Sequence, residues 1–388
     1  MDRSPRLKVG STLLVFAGLL LATLTAARAA ETTRVTLPGP PADLRVFLEP
    51  LREKYRFPAL AAAVVDAGRT IAIGAVGLRK IGGTQEVTLD DLFPIGSCTK
   101  SMTATLAARL VEQNKIQWHT SLGEVFPEWR TEMHADYHGV TLEQLLSHRG
   151  GVPSDLQPNG LWATLWRREG TPREQRLRLL RSVTARPPTT APGTTFTYAN
   201  AGVALAGAML EKVAQQDWEL LITTQLFTPL DLTSAGFGAP GTADQEDQPW
   251  GHTRTQDVLT SRAPGPMSDN PPAIAPAGTV HCSIVDLAKY VALHAHGNPH
   301  LLLESSRLRL HTPVAASGYA LGWNVVERPW GGGQVIHHDG SNTQNYTSIW
   351  IAPKKDFGVM VATNVAGTGV AAACDQIVGA LIQKYLGR

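Results

Sequence analysis

The sequence predicts an α/β (α+β) fold: an antiparallel sheet flanked by helices and built from both chain ends, with an all-helical lobe inserted between them. Three observations carry this expectation. Apolar runs of strand length stand near residue 60 and return after residue 319. The segments between them show helical spacing. The chain has 388 residues, 43% hydrophobic and 18% charged, more than one compact core usually holds. The expected layout is a sheet domain from residues 30–112 and 275–388, with residues 113–274 as the helical insertion and its long loops.

The first 29 residues read as a signal peptide. Arg3, Arg6 and Lys8 precede an apolar run from Leu13 to Leu24, and Ala27-Arg28-Ala29 has the small-x-small pattern of a cleavage site. The run is short for a bilayer span, and no cysteine follows to carry a lipid anchor. Cleavage after Ala29 predicts a periplasmic or secreted protein with no stable membrane anchor; an uncleaved N-terminal anchor is the alternative. The leader holds four basic residues against Asp2, so without it the net charge falls from +2 to about −1. No electrostatic case for a nucleic-acid partner survives. Cys98, Cys282 and Cys374 are too few for a disulfide scaffold, and the sequence does not choose a pair among them.

Along the chain, residues 60–65 and 71–76 read as adjacent strands joined by a turn at Asp66-Ala-Gly-Arg69. Met102, Leu106, Leu110 and Val111 recur at helical spacing after Lys100. Thr141 fits a helix cap, with Glu143 and Gln144 in the first turn. The arginine-rich stretch from Trp166 to Arg186 reads as a helix with a solvated face. Tyr198 precedes a small-residue helix from Ala201 to Val213, and Gly236 to Gly278 reads as a long loop. Ser283 and Asp286 open a helix toward His294. Strands are expected from Tyr319 to Val326, Gln334 to His338, Tyr346 to Ile351 and Gly358 to Asn364, then a helix from Ala371 to Tyr385.

The chemistry concentrates at Ser97-Cys-Thr-Lys100. Residues three apart on a helix share a face, so Ser97 and Lys100 touch if the helix begins near Gly96. Gly96 permits a tight turn, and the helix N-terminus puts partial positive charge beside the serine oxygen. A serine hydroxyl needs a base, and a desolvated lysine can serve as one. Ser-x-x-Lys is a weak pattern by itself, and its context gives it weight.

Three motifs together resemble the class C β-lactamase-related serine hydrolases: Ser97-Cys-Thr-Lys100, Tyr198-Ala-Asn200 and His338-Asp-Gly340. The flanks agree. Leu145-Leu-Ser-His-Arg-Gly-Gly-Val-Pro153 is similar to LLxHxSGxP, and Pro192-Gly-Thr-Thr-Phe-Thr-Tyr198-Ala-Asn200-Ala-Gly202 to PGxxFxYSNxG. Pro276-Ala-Gly-Thr-Val280 with Ser283-Ile-Val-Asp-Leu287 is similar to PAGGLxST…DL, and Tyr319-Ala-Leu-Gly-Trp323 to YGLGW. The resemblance covers nearly all of the chain beyond the leader.

It implies a β-lactamase/transpeptidase-like fold and a serine hydrolase working through an acyl-enzyme on a small-molecule or peptide substrate. It implies Ser97 as nucleophile, with Lys100 and Tyr198 sharing the proton traffic, without deciding which is the base. It implies that Asn200 orients the substrate or Lys100. His338, Gly340 and Ser341 form the far wall, and the backbone N–H groups of Ser97 and Ser341 make the oxyanion hole. Neither a cofactor nor a metal is implied.

This chain departs from many lactamases in having His338-Asp339-Gly340 where they have Lys-Thr-Gly. A neutral histidine weakens the hold on a substrate carboxylate, and Asp339 opposes one if it faces the site. Strand alternation also allows Asp339 to lie just outside the site, with His337. Esterase or D-Ala-type peptidase or amidase activity is therefore expected ahead of efficient β-lactam hydrolysis. A β-lactamase proper, or a penicillin-binding sensor module that acylates without turnover, is the alternative. Tyr198 is expected to be pushed toward phenolate by Lys100, and by His338 when that ring is protonated.

Ser268-Asp269-Asn270 spells a motif used by other serine acylases but reads here as turn chemistry in a proline-rich loop. His148 reads as structural and Cys98 as a packing residue. No Gly-x-Ser-x-Gly elbow occurs, and His294, His296 and His300 lack a carboxylate or cysteine at ligand spacing.

Overall fold

A computed structural model describes residues 39–387; the expected leader lies outside them. The two apolar runs near residue 60 form an antiparallel hairpin, turning at Ala67 (φ 47°) and Gly68 (φ 74°). Consecutive positive φ values give the tight turn that matches strand twist.

The hairpin belongs to a seven-stranded sheet. Its strands are β1 (Ala42–Asp43), β2 (Ala59–Asp66), β3 (Arg69–Gly77), β4 (Asn324–Arg328), β5 (Gly333–Ser341), β6 (Tyr346–Ala352) and β7 (Phe357–Thr363). They lie in the order β1-β3-β2-β7-β6-β5-β4, antiparallel throughout except for β1 beside β3. The sheet is thus assembled from both ends of the sequence.

Alternation sorts its side chains. Ala61, Ala63, Val65, Ile336 and Met360 pack toward the helices from the middle of the chain. Leu60, Ala62, Val64, Val335 and Val361 pack toward the terminal helices Arg45–Lys54 and Val370–Leu386. Burial on both faces explains why these strands read as continuous apolar runs.

Helix starts follow local chemistry. Thr141 Oγ1 accepts from Gln144 N at 3.2 Å while Gln144 Oε1 accepts from Thr141 N at 3.1 Å, a capping box opening Leu142–Leu146. Ser283 caps Ile284–Ala295 by accepting from Asp286 N.

Three expectations need correction. Residues 319–323 are not a strand: they bend, and β4 begins at Asn324. Gly322 (φ 77°) lies so close to the helix after Ser97 that a Cβ would stand 2.7 Å from the Lys100 carbonyl oxygen. Packing against that helix displaces the ladder. Second, the segment from Gly236 to Gly278 contains a hairpin, Gly251–Thr255 with Val258–Arg262, paired in parallel with Val365–Gly367. The inserted part of the chain is therefore not purely helical. The surrounding prolines masked the short β-rich run Val258-Leu-Thr.

Third, the arginine-rich helix Pro172–Thr184 is solvated only in part. Arg178 and Arg181 are exposed, but Arg176 is fully buried. Its guanidinium grips Glu211 at 2.8 and 3.1 Å and Glu219 at 3.0 and 3.1 Å. Arg176→Met leaves Glu211, itself buried, without its cation. The variant is expected to lose about 3–5 kcal/mol in urea unfolding; a loss below about 1 kcal/mol would count against this account.

Candidate active site

Ser97 stands in the 3₁₀ turn Gly96–Cys98, which runs directly into the helix Thr99–Glu112. This geometry delivers the expected contact: Lys100 Nζ donates to Ser97 Oγ at 2.8 Å. The second partner of Lys100 comes from far along the chain, the Ala277 carbonyl oxygen at 2.8 Å. Thr103 Oγ1 donates to the neighbouring Pro276 carbonyl at 2.7 Å, tying the helix to the same turn.

Lys100 is completely buried, and no carboxylate among the described residues pairs with it. Desolvation disfavours the ammonium and brings its pKa down to about 7. The neutral amine is therefore well populated at ordinary pH, with its lone pair available to the Ser97 proton.

Tyr198 stands across from this pair. Its hydroxyl hydrogen-bonds Ser97, and Lys100 Nζ lies 4.8 Å from its ring centroid. Tyr198 is 37% exposed overall, yet desolvation around its hydroxyl raises its pKa above the ordinary phenol value. The expected shift toward phenolate is thus reversed. Desolvation is the largest cause, and a neutral His338 adds no positive charge to offset it.

His148 packs into this corner as a structural histidine. Its Nδ1 accepts from Ala199 N at 3.2 Å, and its ring packs 4.4 Å from Tyr198 and 4.9 Å from Tyr319. Asn200 is the first residue of the helix Asn200–Ala214. Among the described hydrogen bonds none links its side chain to Lys100.

The wall is β5. Gly340 packs against the nucleophile turn: a Cβ there would overlap the Ile95 carbonyl oxygen and stand 2.8 Å from Ser97 N and 2.9 Å from Cys98 N. Gly96 (φ 49°) meets it from the other side, since a Cβ on Gly96 would overlap Ser341 N. Two glycines thus let two backbones meet, with Gly340 against Ser97 N and Gly96 against Ser341 N.

His338 is buried, with Nδ1 2.7 Å from the Asp339 carbonyl oxygen and Nε2 3.1 Å from the Tyr319 hydroxyl. A carbonyl only accepts, so Nδ1 carries the proton and Tyr319 donates to Nε2. Desolvation first, and Lys100 second, push the His338 pKa to about 3, so the ring stays neutral. Tyr319 therefore belongs to the site. Only the Tyr319-Ala-Leu-Gly-Trp323 motif hinted at it.

Asp339 lies outside the site, as strand alternation allows. It faces away with His337, hydrogen-bonded to Ser348 and Tyr346, and His337 stacks 4.1 Å from Trp350.

The remaining candidates fall elsewhere. His294 is bonded to His311 at 2.9 Å and Thr105 at 3.2 Å, whereas His296 meets Asp356 at 3.3 Å. Cys98 turns from Ser97 toward the His338 carbonyl at 3.3 Å, and all three cysteines are buried and unpaired.

The family model described as Beta-lactamase matches residues 44–383. The chain belongs to the beta-lactamase family. Among its relatives is the unguisins hydrolase ungD' of Aspergillus campestris, 27% identical over 341 residues, 82% of this chain and 61% of that protein. The chain therefore spans less than two thirds of that relative's length. A Beta-lactamase of Escherichia coli is 26% identical over 303 residues, 75% of this chain and 72% of that protein. Among solved structures, the octameric penicillin-binding protein homologue from Pyrococcus abyssi superposes with a TM-score of 0.71 at 22% identity. The match covers 88% of this chain and 78% of that one. Beta-lactamase-family members are serine hydrolases, consistent with the Ser97–Lys100 geometry.

Proposed function

We propose that this protein is an exported serine hydrolase that cleaves ester or amide bonds through an acyl group on Ser97. The observation that carries the reading is the dry Lys100 amine, 2.8 Å from Ser97 Oγ and with its pKa near 7. In the proposed reaction Ser97 Oγ attacks the substrate carbonyl carbon as its proton passes to neutral Lys100. The oxygen that becomes negative is received by the N–H groups of Ser97 and Ser341. Tyr198, kept as a phenol by its raised pKa, gives its proton to the leaving alcohol or amine and is reprotonated from Lys100. Water then attacks the acyl carbonyl along the same proton path in reverse, releasing the acid.

Neutral His338 favours substrates without a carboxylate at this wall, so esters and peptide amides come ahead of penicillins. Thr197, next to Tyr198, lines a cleft of about 630 Å³ whose apolar residues Leu156, Leu161 and Val183, with Asp155 and Arg186 beside them, suit a substrate group that is apolar with a polar end. The N-terminal leader supports export, with cleavage after Ala29 and a periplasmic or secreted product.

The test compares wild type with Ser97→Ala on aryl esters, D-alanyl peptides and a chromogenic cephalosporin, with intact-mass detection of the acyl-enzyme. Wild type is expected to turn over the esters or peptides and Ser97→Ala to lose at least about a thousandfold. Cephalosporin turnover far above the ester rate would favour a β-lactamase proper. An acyl adduct that forms but is never released would favour a sensor module.

A further inference from the structure

The tripeptide Ser268-Asp269-Asn270 does not replace Tyr198, yet its side chains brace both walls of the site. Asn270 Nδ2 donates to the Gly278 carbonyl at 2.8 Å, one residue beyond the Ala277 carbonyl that holds Lys100. Asp269 Oδ1 accepts from Asn342 Nδ2 at 3.0 Å, one residue beyond Ser341. Ser268 Oγ anchors the loop by donating to the Ala263 carbonyl at 2.6 Å.

Asn342 organises the turn that ends β5. Its Oδ1 accepts from Gln344 N at 3.2 Å, Asn345 N at 2.9 Å and Asn345 Nδ2 at 3.1 Å. Within that turn Thr343 has φ 73°, a costly conformation for a β-branched residue. Thr343 N donates to Ser341 Oγ at 3.0 Å, coupling the turn to Ser341 itself. Such strain persists only where surrounding bonds over-determine it, and Asn342 supplies those bonds.

We propose that Asp269 is a positioning residue for hydrolysis: its carboxyl fixes Asn342, Asn342 fixes the 341–345 turn, and the turn sets where the Ser341 N–H stands relative to Ser97 Oγ. This rests on the reading that Ser341 N–H receives the oxyanion.

Asp269 is 3% exposed, and its second oxygen, Oδ2, has no hydrogen-bond partner among the described residues. The nearby cation, Arg168, donates from Nη2 to the Asp269 backbone carbonyl at 3.1 Å, and Arg168 Nε is also buried without a partner. Burial brings the Asp269 carboxyl up to about 7. The bond to Asn342 needs only an acceptor oxygen at Oδ1, so it holds whether or not Asp269 is protonated.

The test uses Asp269→Leu, Asp269→Asn, Asn342→Leu and the Asp269→Leu/Asn342→Leu double variant, assayed on an aryl ester and its thionoester. Sulfur accepts hydrogen bonds poorly, so a well-placed oxyanion hole favours the ester. Asp269→Leu is expected to lower kcat on the ester about 30-fold, with KM changed less than about threefold, and to shrink the ester/thionoester ratio about tenfold. Asp269→Asn keeps the acceptor and is expected to stay within about threefold of wild type. The double variant is expected to be no worse than Asn342→Leu alone, because Asp269 acts only through Asn342.

The inference is overturned if Asp269→Leu leaves kcat and the ratio within about twofold, if Asp269→Asn is as damaging as Asp269→Leu, or if the two leucine effects multiply. Should Asp269→Leu not fold, Asn342→Leu reads the same link. Ser97→Ala separates the two levels. Hydrolysis independent of Ser97 overturns the site reading as well, whereas Ser97-dependent hydrolysis with a silent Asp269→Leu overturns the positioning role alone.

Discussion

Replacing Lys100 by methionine is expected to cut kcat/KM on an aryl ester by at least about a thousandfold and to raise the melting temperature at pH 6. The activity loss follows from removing the base that the Ser97 hydroxyl touches, an effect of general-base size. The stability gain follows from linkage. In the unfolded chain Lys100 titrates at 10.5, in the folded protein at about 7. Between those values the unfolded state binds more protons, so stability rises with pH. Below about 7 the folded protein carries the whole cost of a buried ammonium, on the order of 5 kcal/mol at about 1.4 kcal/mol per unit. Methionine is of similar length and apolar, and it escapes that cost. A variant that keeps wild-type turnover removes Lys100 from the mechanism; one that melts lower at pH 6 refutes the buried-charge argument. Wild-type kcat/KM is likewise expected to climb as pH rises through about 7 and then level off. A flat profile from pH 5 to 9 contradicts it.

Gly340→Ala is expected to damage folding and catalysis together. The added methyl meets the Ile95 carbonyl and the Ser97 and Cys98 amides, all backbone atoms, so no side chain can swing aside. Either β5 or the nucleophile turn must move. Overpacking of this kind costs up to about 3 kcal/mol and sometimes more. A displacement of about 1 Å at reacting groups lowers turnover about a hundredfold. Urea unfolding and active-site titration separate the two effects: the surviving folded molecules are expected to acylate slowly. Native kcat in Gly340→Ala would show that β5 does not form the wall of the site.

Some features of this protein were fixed by neighbours in sequence. The Ala59–Gly77 hairpin, the Thr141 capping box and the Ser283 cap depend on turn chemistry and on bonds spanning three or four residues. The contact between Ser97 and Lys100 is of the same kind, because three residues are about one helical turn. The split of the sheet between the two chain ends followed from where the apolar runs stand.

Packing of distant segments decided the rest. Lys100 has a lowered pKa because Ala277 and the surrounding core exclude water from it, and that depends on burial rather than on spacing. His338 is neutral because burial, and Lys100 beside it, disfavour the charged ring, while Tyr319 and the Asp339 carbonyl fix its tautomer; burial likewise keeps Tyr198 a phenol. Arg176 reads as one more surface arginine until Glu211 and Glu219 arrive from another helix and a following segment. Asp269 reads as a turn residue until Asn342, 73 residues later, is seen beside it. Periodicity is written by bonds a few residues long, whereas charge state and orientation are set by whatever the fold brings within a few ångströms.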